Sequence, residues 1–153
     1  MSTQPRFLAD VHLGRLARQL RMLGFDTAYE PAWSKPQLLK TVVSENRILL
    51  TRQTALAQNP FLQTFIIESE HTAAQLAQVI AHFGLHHIKP FTRCMACNWV
   101  LEPVPKADVL HRLQPATIQE FHHFWQCPQC NRVYWQGSHY QRMMQQINQL
   151  KND

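Results

Sequence analysis

Cys94, Cys97, Cys127 and Cys130 are all the cysteines in this chain of 153 residues, and they fall as two C-x2-C pairs about thirty residues apart. That is the ligand spacing of a structural zinc site. Each pair fits a tight turn that points both sulfurs at one ion, and four thiolates fill a tetrahedral Zn2+ shell with no open position for a reacting water. Disulfides fit the pattern poorly, because bonds within each pair would close loops too short to constrain the unfolded chain. A redox C-x2-C is expected once, at the head of a helix after a strand, whereas this chain has two.

A second set of chemistry-bearing residues lies upstream. Asp10 follows the apolar run Phe7-Leu8-Ala9, and Thr51-Arg52 follow Ile48-Leu49-Leu50. If both runs are strands of one parallel sheet, their carboxyl ends share an edge, where ligands of such sheets usually bind, and Asp10, Thr51 and Arg52 come together there. The plainer role for Asp10 is a helix cap or a charge favoured by the macrodipole. Arg15, Arg18 and Arg21 follow, with no acid between Leu13 and Leu23. At helical spacing they spread over the side opposite the leucines, a basic face suited to phosphates or an ordinary solvated one. Nine histidines include the pairs His86-His87 and His122-His123, and with four cysteines already sufficient for zinc they read as surface or polar-core residues. Trp99, Trp125, Tyr134 and Trp135 surround the cysteines; they can pack around the metal turns or stack on unpaired bases, and Tyr134 and Trp135 are the better candidates for contact.

The elements that must position these residues alternate between strand and helix up to residue 90. Residues 6–9, 26–29, 47–51 and 65–67 read as strands. Helices follow from Leu13 to a stop at Gly24, from a Ser34 cap with Pro36 in the first turn, and from His71 to a stop at Gly84. Such alternation predicts an α/β unit with a parallel sheet flanked by helices. Residues 91–137 change to turn and strand-prone residues, which suits short hairpins pinned by metal. Ser138 then offers a cap for a last helix carrying Met143, Met144, Ile147 and Leu150 as an apolar stripe.

Composition sets bounds on this reading. With 45% hydrophobic and 16% charged residues, the chain can bury one core plus a small metal-held module. The opening Met1-Ser2-Thr3-Gln4-Pro5-Arg6 lacks the basic-then-apolar pattern of a signal peptide, and no apolar run reaches membrane-span length, so a soluble, cytoplasmic protein with no membrane partner is expected. The formal charge of +5 suggests an anionic partner. Four thiolates and one Zn2+ would lower it to about +3, which makes the placement of the arginines matter more than the total.

Taken together, the segments 7–10, 13–27, 47–52, 93–98 and 127–139 resemble the Mut-7 C-terminal ribonuclease domain family, in order and over nearly the whole chain. The resemblance implies a PIN-like α/β domain over residues 1–90 and a zinc ribbon with a C-terminal helix over 91–153. It further implies RNA as substrate and Mg2+ or Mn2+ held by acidic residues at the strand edge. Carried onto this chain, it assigns Asp10 as a metal ligand, Arg15, Arg18 and Arg52 as phosphate clamps, and His139, which follows Trp135-Gln136-Gly137-Ser138, as an RNA contact or proton carrier. Two departures stand out. Gln53 follows Leu-Thr-Arg where the family continues with aspartate, and Ser34-Lys35 replace an acid at the start of the second helix. Asp10 remains, with Asp26 and Glu30 as possible helpers. Neutral glutamine holds hard cations poorly, so the expectation is an RNA-binding protein with weakened cleavage. An active divalent-metal ribonuclease and a zinc-ribbon protein-interaction module are the alternatives, and the sequence names no protein partner.

Overall fold

The computed structural model of the protein describes residues 3–151. Four short strands, β1 (Phe7–Ala9), β2 (Thr27–Ala28), β3 (Ile48–Thr51) and β4 (Gln63–Ile66), form a parallel sheet in the order β2-β1-β3-β4. Side chains alternate across it as a strand requires. Phe7 and Ala9 face a core shared with helices α1 (Gly14–Met22) and α3 (Thr72–Phe83), while Leu8 and Leu49 face Leu38 and Val42 of helix α2 (Lys35–Ser44) on the other side. This is the predicted mixed α/β unit with helices on both faces of a parallel sheet.

Local chemistry explains where the helices begin and end. Ser34 caps α2 with a full capping box: its hydroxyl accepts from the Gln37 N–H, and the Gln37 side chain accepts from the Ser34 N–H. Beyond α1 the chain turns at Gly24, whose φ of 94° belongs to the left-handed side of conformational space. A Cβ there would sit 2.7 Å from Thr92 Oγ1 and 2.9 Å from the Lys89 carbonyl carbon. The bare backbone lets segment 89–91 cross the end of α1, where the Lys89 N–H donates to Leu23 O at 2.7 Å.

The second half is built on an antiparallel sheet, β5 (Glu102–Val104), β6 (Phe124–Gln126) and β7 (Val133–Tyr134), in that order. Between β5 and β6 lie two short helices the sequence reading did not anticipate, α4 (Lys106–Val109) and α5 (Pro115–Glu120). Neither is long enough to display a helical period, though Pro115 is a recognisable first-turn signal. Helix α6 (Ser138–Lys151) returns to the first half, burying Met143 and Ile147 in the core of Phe7, Leu16 and Ile80. Ser138 is its first helical residue and not its cap. Gly137 takes the cap position, its carbonyl accepting from the Gln141 N–H at 3.0 Å. Among the described residues, no helix is long and apolar enough to cross a membrane.

Candidate functional site

The four cysteines converge. Their sulfurs lie within 4.8 Å of one another, with Cys94–Cys130 at 3.6 Å and Cys97–Cys127 at 3.4 Å. Tetrahedral thiolates about 2.3 Å from a zinc ion are about 3.8 Å apart, so the donor set and its spacing fit a four-sulfur metal centre. Each pair sits on the same turn, Cys-x-x-Cys-Asn. The Asn98 N–H donates to Cys94 O and the Asn131 N–H to Cys127 O, and both asparagines take left-handed backbone, with φ of 67° and 66°. Asparagine tolerates that region better than most residues, which gives the repeated Asn a structural reason. Burial pushes the Cys97 thiol up to about 12. Burial also opposes ionisation of Cys130, but hydrogen bonds from the Arg132 backbone and side chain outweigh it and draw that thiol down to about 6. The Tyr134 hydroxyl lies 3.0 Å from the Cys94 sulfur, so its phenol supports the metal centre and only the ring is left for other contacts.

Asp10 and Thr51 end neighbouring strands at the carboxyl edge, where the chain order reverses between β1 and β3. This is the crevice in which parallel sheets bind ligands. Asp10 is buried, and its Oδ2 accepts from Thr51 Oγ1 at 2.8 Å and from Gln53 Nε2 at 3.1 Å. The helix-cap role for Asp10 is not what forms: residue Leu13 occupies the cap of α1 without a side-chain bond. Gln53 and Lys35 both line the small cleft, about 100 Å3, that Asp10 opens into. The positions that depart from the family pattern are therefore the ones beside Asp10. Among the described residues, the cysteines are the one cluster of three or more potential metal ligands, so the cleft offers a divalent ion a single carboxylate. That donor set does not fit a pair of Mg2+ or Mn2+ ions. Arg52 is exposed and makes no hydrogen bond with Asp10 among the described residues, so the predicted cluster of Asp10, Thr51 and Arg52 is Asp10, Thr51 and Gln53 instead.

Arg15 and Arg18 are exposed, as the helical pattern predicts, but Arg21 is not. It is 5% exposed, and its guanidinium donates to Thr27 O at 2.8 Å, Met95 O at 3.0 Å and Ala96 O at 3.2 Å. The helical projection placed it off the leucine stripe correctly; what covers it is the first cysteine turn, which no periodicity reveals. Arg21 ties the α/β unit to the metal turns. Asp26 does the same at the amino edge of the sheet, bonding Arg47 at 2.8 Å and Asn98 at 2.7 Å, and so cannot help Asp10 at the opposite edge. Glu30 accepts from the Ala32 N–H in its own turn.

A series of depressions links the remaining candidates. Val11 lines both the Asp10 cleft and a cavity of about 360 Å3 beside the start of α1. Arg15 and Thr72 line that cavity and the next, of about 400 Å3, which also holds Arg18, Gln19 and His139. His139 in turn lines a pocket of about 510 Å3 with Tyr134 and Trp135. Asp10, the two exposed arginines, His139 and the aromatics thus border a row of depressions that share lining residues, here called the groove. The groove also uses Thr72, Gln19, Glu120 and Tyr140, which sequence reasoning passed over because each is an ordinary polar residue with no motif around it.

Comparison with known proteins follows the same outline. No curated protein matches the chain significantly. The match to the Mut7-C RNAse domain runs over residues 5–147, taking in the strand edge, the groove and all four cysteines. On that match, which covers nearly its whole length, the chain belongs to the Mut7-C RNAse domain family.

Proposed function

We propose that this protein binds single-stranded RNA along the groove from Asp10 to Trp135 and cleaves it weakly or not at all. The α/β unit, residues 1–90, is on this reading PIN-like, and residues 91–153 are a zinc ribbon with its helix. Arg15 and Arg18 take phosphates, and His139 contacts the strand between them and the aromatics. Four cysteines arranged as metal ligands and not as disulfides suit a reducing compartment, so the reading includes a cytoplasmic setting.

The observation that carries the reading is the bond from Gln53 Nε2 to Asp10 Oδ2. In a metal-dependent nuclease, carboxylates at such an edge would face each other across a cation and hold the water that attacks phosphorus. Here a neutral amide stands where a second carboxylate would, and it occupies Oδ2 of Asp10 together with the Thr51 hydroxyl. Lys35 lines the same cleft and adds positive charge where a cation would have to sit.

Incubating a short single-stranded RNA with the protein and Mn2+ tests this. The unaltered protein is expected to bind and to cut little, and Lys35→Asp with Gln53→Asp to raise cleavage. Brisk cleavage by the unaltered protein that vanishes in Asp10→Asn would overturn the weakened-nuclease reading.

A further inference from the structure

The pocket at the far end of the groove has a composition that phosphate binding does not explain. Its walls are Phe121, Tyr134, Trp135 and Tyr140, and its polar groups include His139 and the carboxylate of Glu120, the last residue of α5. The walls are held from behind. Tyr140 packs on Phe91 at 4.8 Å, which itself stacks on Trp125 at 4.4 Å, and Trp135 leans on Phe124 at 5.9 Å. Gly137 fits against the indole: a Cβ there would lie 3.3 Å from Trp135 Nε1. At about 510 Å3 the space lies within the range of roughly 300–1,000 Å3 typical of small-ligand sites.

Glu120 is the one carboxylate among the residues lining this pocket. Like Asp10 and Glu70 farther along the groove, it repels the RNA backbone, so its place here is not explained by phosphate binding. Among the described residues it has no ion-pair or hydrogen-bond partner. Glu120 is exposed at the edge of the aromatic pocket, and a carboxylate free to turn toward such walls suits a flat ligand that presents hydrogen-bond donors.

Of the four RNA bases, guanine has two adjacent donors on its pairing edge, N1–H and the N2 amine, which match the two oxygens of one carboxylate. Adenine and cytosine place a ring-nitrogen acceptor beside their single amine, and uracil flanks its N–H with two carbonyl oxygens. Those acceptors would face Glu120 and repel it. We propose that this pocket takes an unstacked guanine base of a single-stranded RNA, stacked against the aromatic wall and read by Glu120. The inference rests on the RNA-binding reading above and adds base selection to it.

The test is anisotropy of labelled RNA at low salt, comparing an oligouridine with the same oligomer carrying one central guanosine. The guanosine-containing strand is expected to bind about tenfold more tightly, the discrimination of one good bidentate base contact. Glu120→Gln should erase most of that preference while raising oligouridine affinity, since it removes a negative charge from the groove. Guanosine monophosphate alone should compete more strongly than the other three monophosphates. Equal binding of the two oligomers, or a preference that survives Glu120→Gln in a normally folded protein, overturns this inference alone. Failure to bind either oligomer overturns the RNA reading and the base pocket with it.

Discussion

Asp10 and Asp26 sit at opposite edges of one sheet, and their neighbours give them opposite tasks. Asp10 lies at the ligand-binding edge, held by Thr51 and Gln53. Asp26 is spent on cohesion. Burial works against its charge, but hydrogen bonds from Arg47 and Asn98 outweigh it and bring the carboxyl from 3.8 down to about 2. Because the folded value lies below the unfolded one, the carboxylate stabilises the fold above about pH 4, and that contribution is lost as the pH falls toward 2. Asp26→Asn should therefore cost about 2 kcal/mol at neutral pH, and urea unfolding should show the gap to the unaltered protein closing between about pH 4 and 2. A gap that stays constant across that range would contradict this account. At this scale the sequence was a partial guide: helical periodicity separates Arg15 and Arg18 from the leucines, but it cannot foresee that Met95 and Ala96 come down on Arg21.

Elements were more legible than residues wherever a pattern had room to show itself. The alternating strands and helices of the first half, the Ser34 cap and the Gly24 and Gly84 stops follow from local chemistry, and the structure places them within a few residues of expectation. The cysteine turns were visible because their spacing is itself geometry. By contrast, α4 and α5 have too few residues for periodicity, and β5 pairs with β6 across both of them, whereas β6 and β7 form the kind of short hairpin the turn residues suggested. Those strands have little core beyond Leu101, Cys94, Cys127 and the rings around them, so metal binding should supply much of their folding free energy. Elemental analysis is expected to find about one zinc per chain. Chelation, or Cys127→Ser, should unfold the second sheet while leaving the parallel sheet folded, as measured by amide hydrogen exchange. Full protection of the second sheet after metal removal would show that packing alone sustains it.

At the scale of the whole molecule, the groove depends on three parts of the chain meeting: the start of α1, the second sheet beside the four cysteines, and α6, which carries His139 from one to the other. None of these parts contains the groove alone, and that is why the sequence could nominate Asp10, Arg15, Arg18, His139 and Trp135 separately without placing them along one path. On the proposed reading, the arginines would supply the charge and the aromatics the stacking that single-stranded RNA binding requires. The direct measurement is the salt dependence of single-stranded RNA affinity for the unaltered protein and for Arg15→Gln with Arg18→Gln. Both side chains are exposed, so the fold should be unaffected. The account predicts weaker binding by the variant and a log–log salt slope flatter by about 1.4, which is about 0.7 for each lost phosphate contact. An unchanged affinity and slope would contradict it and move the RNA away from this groove.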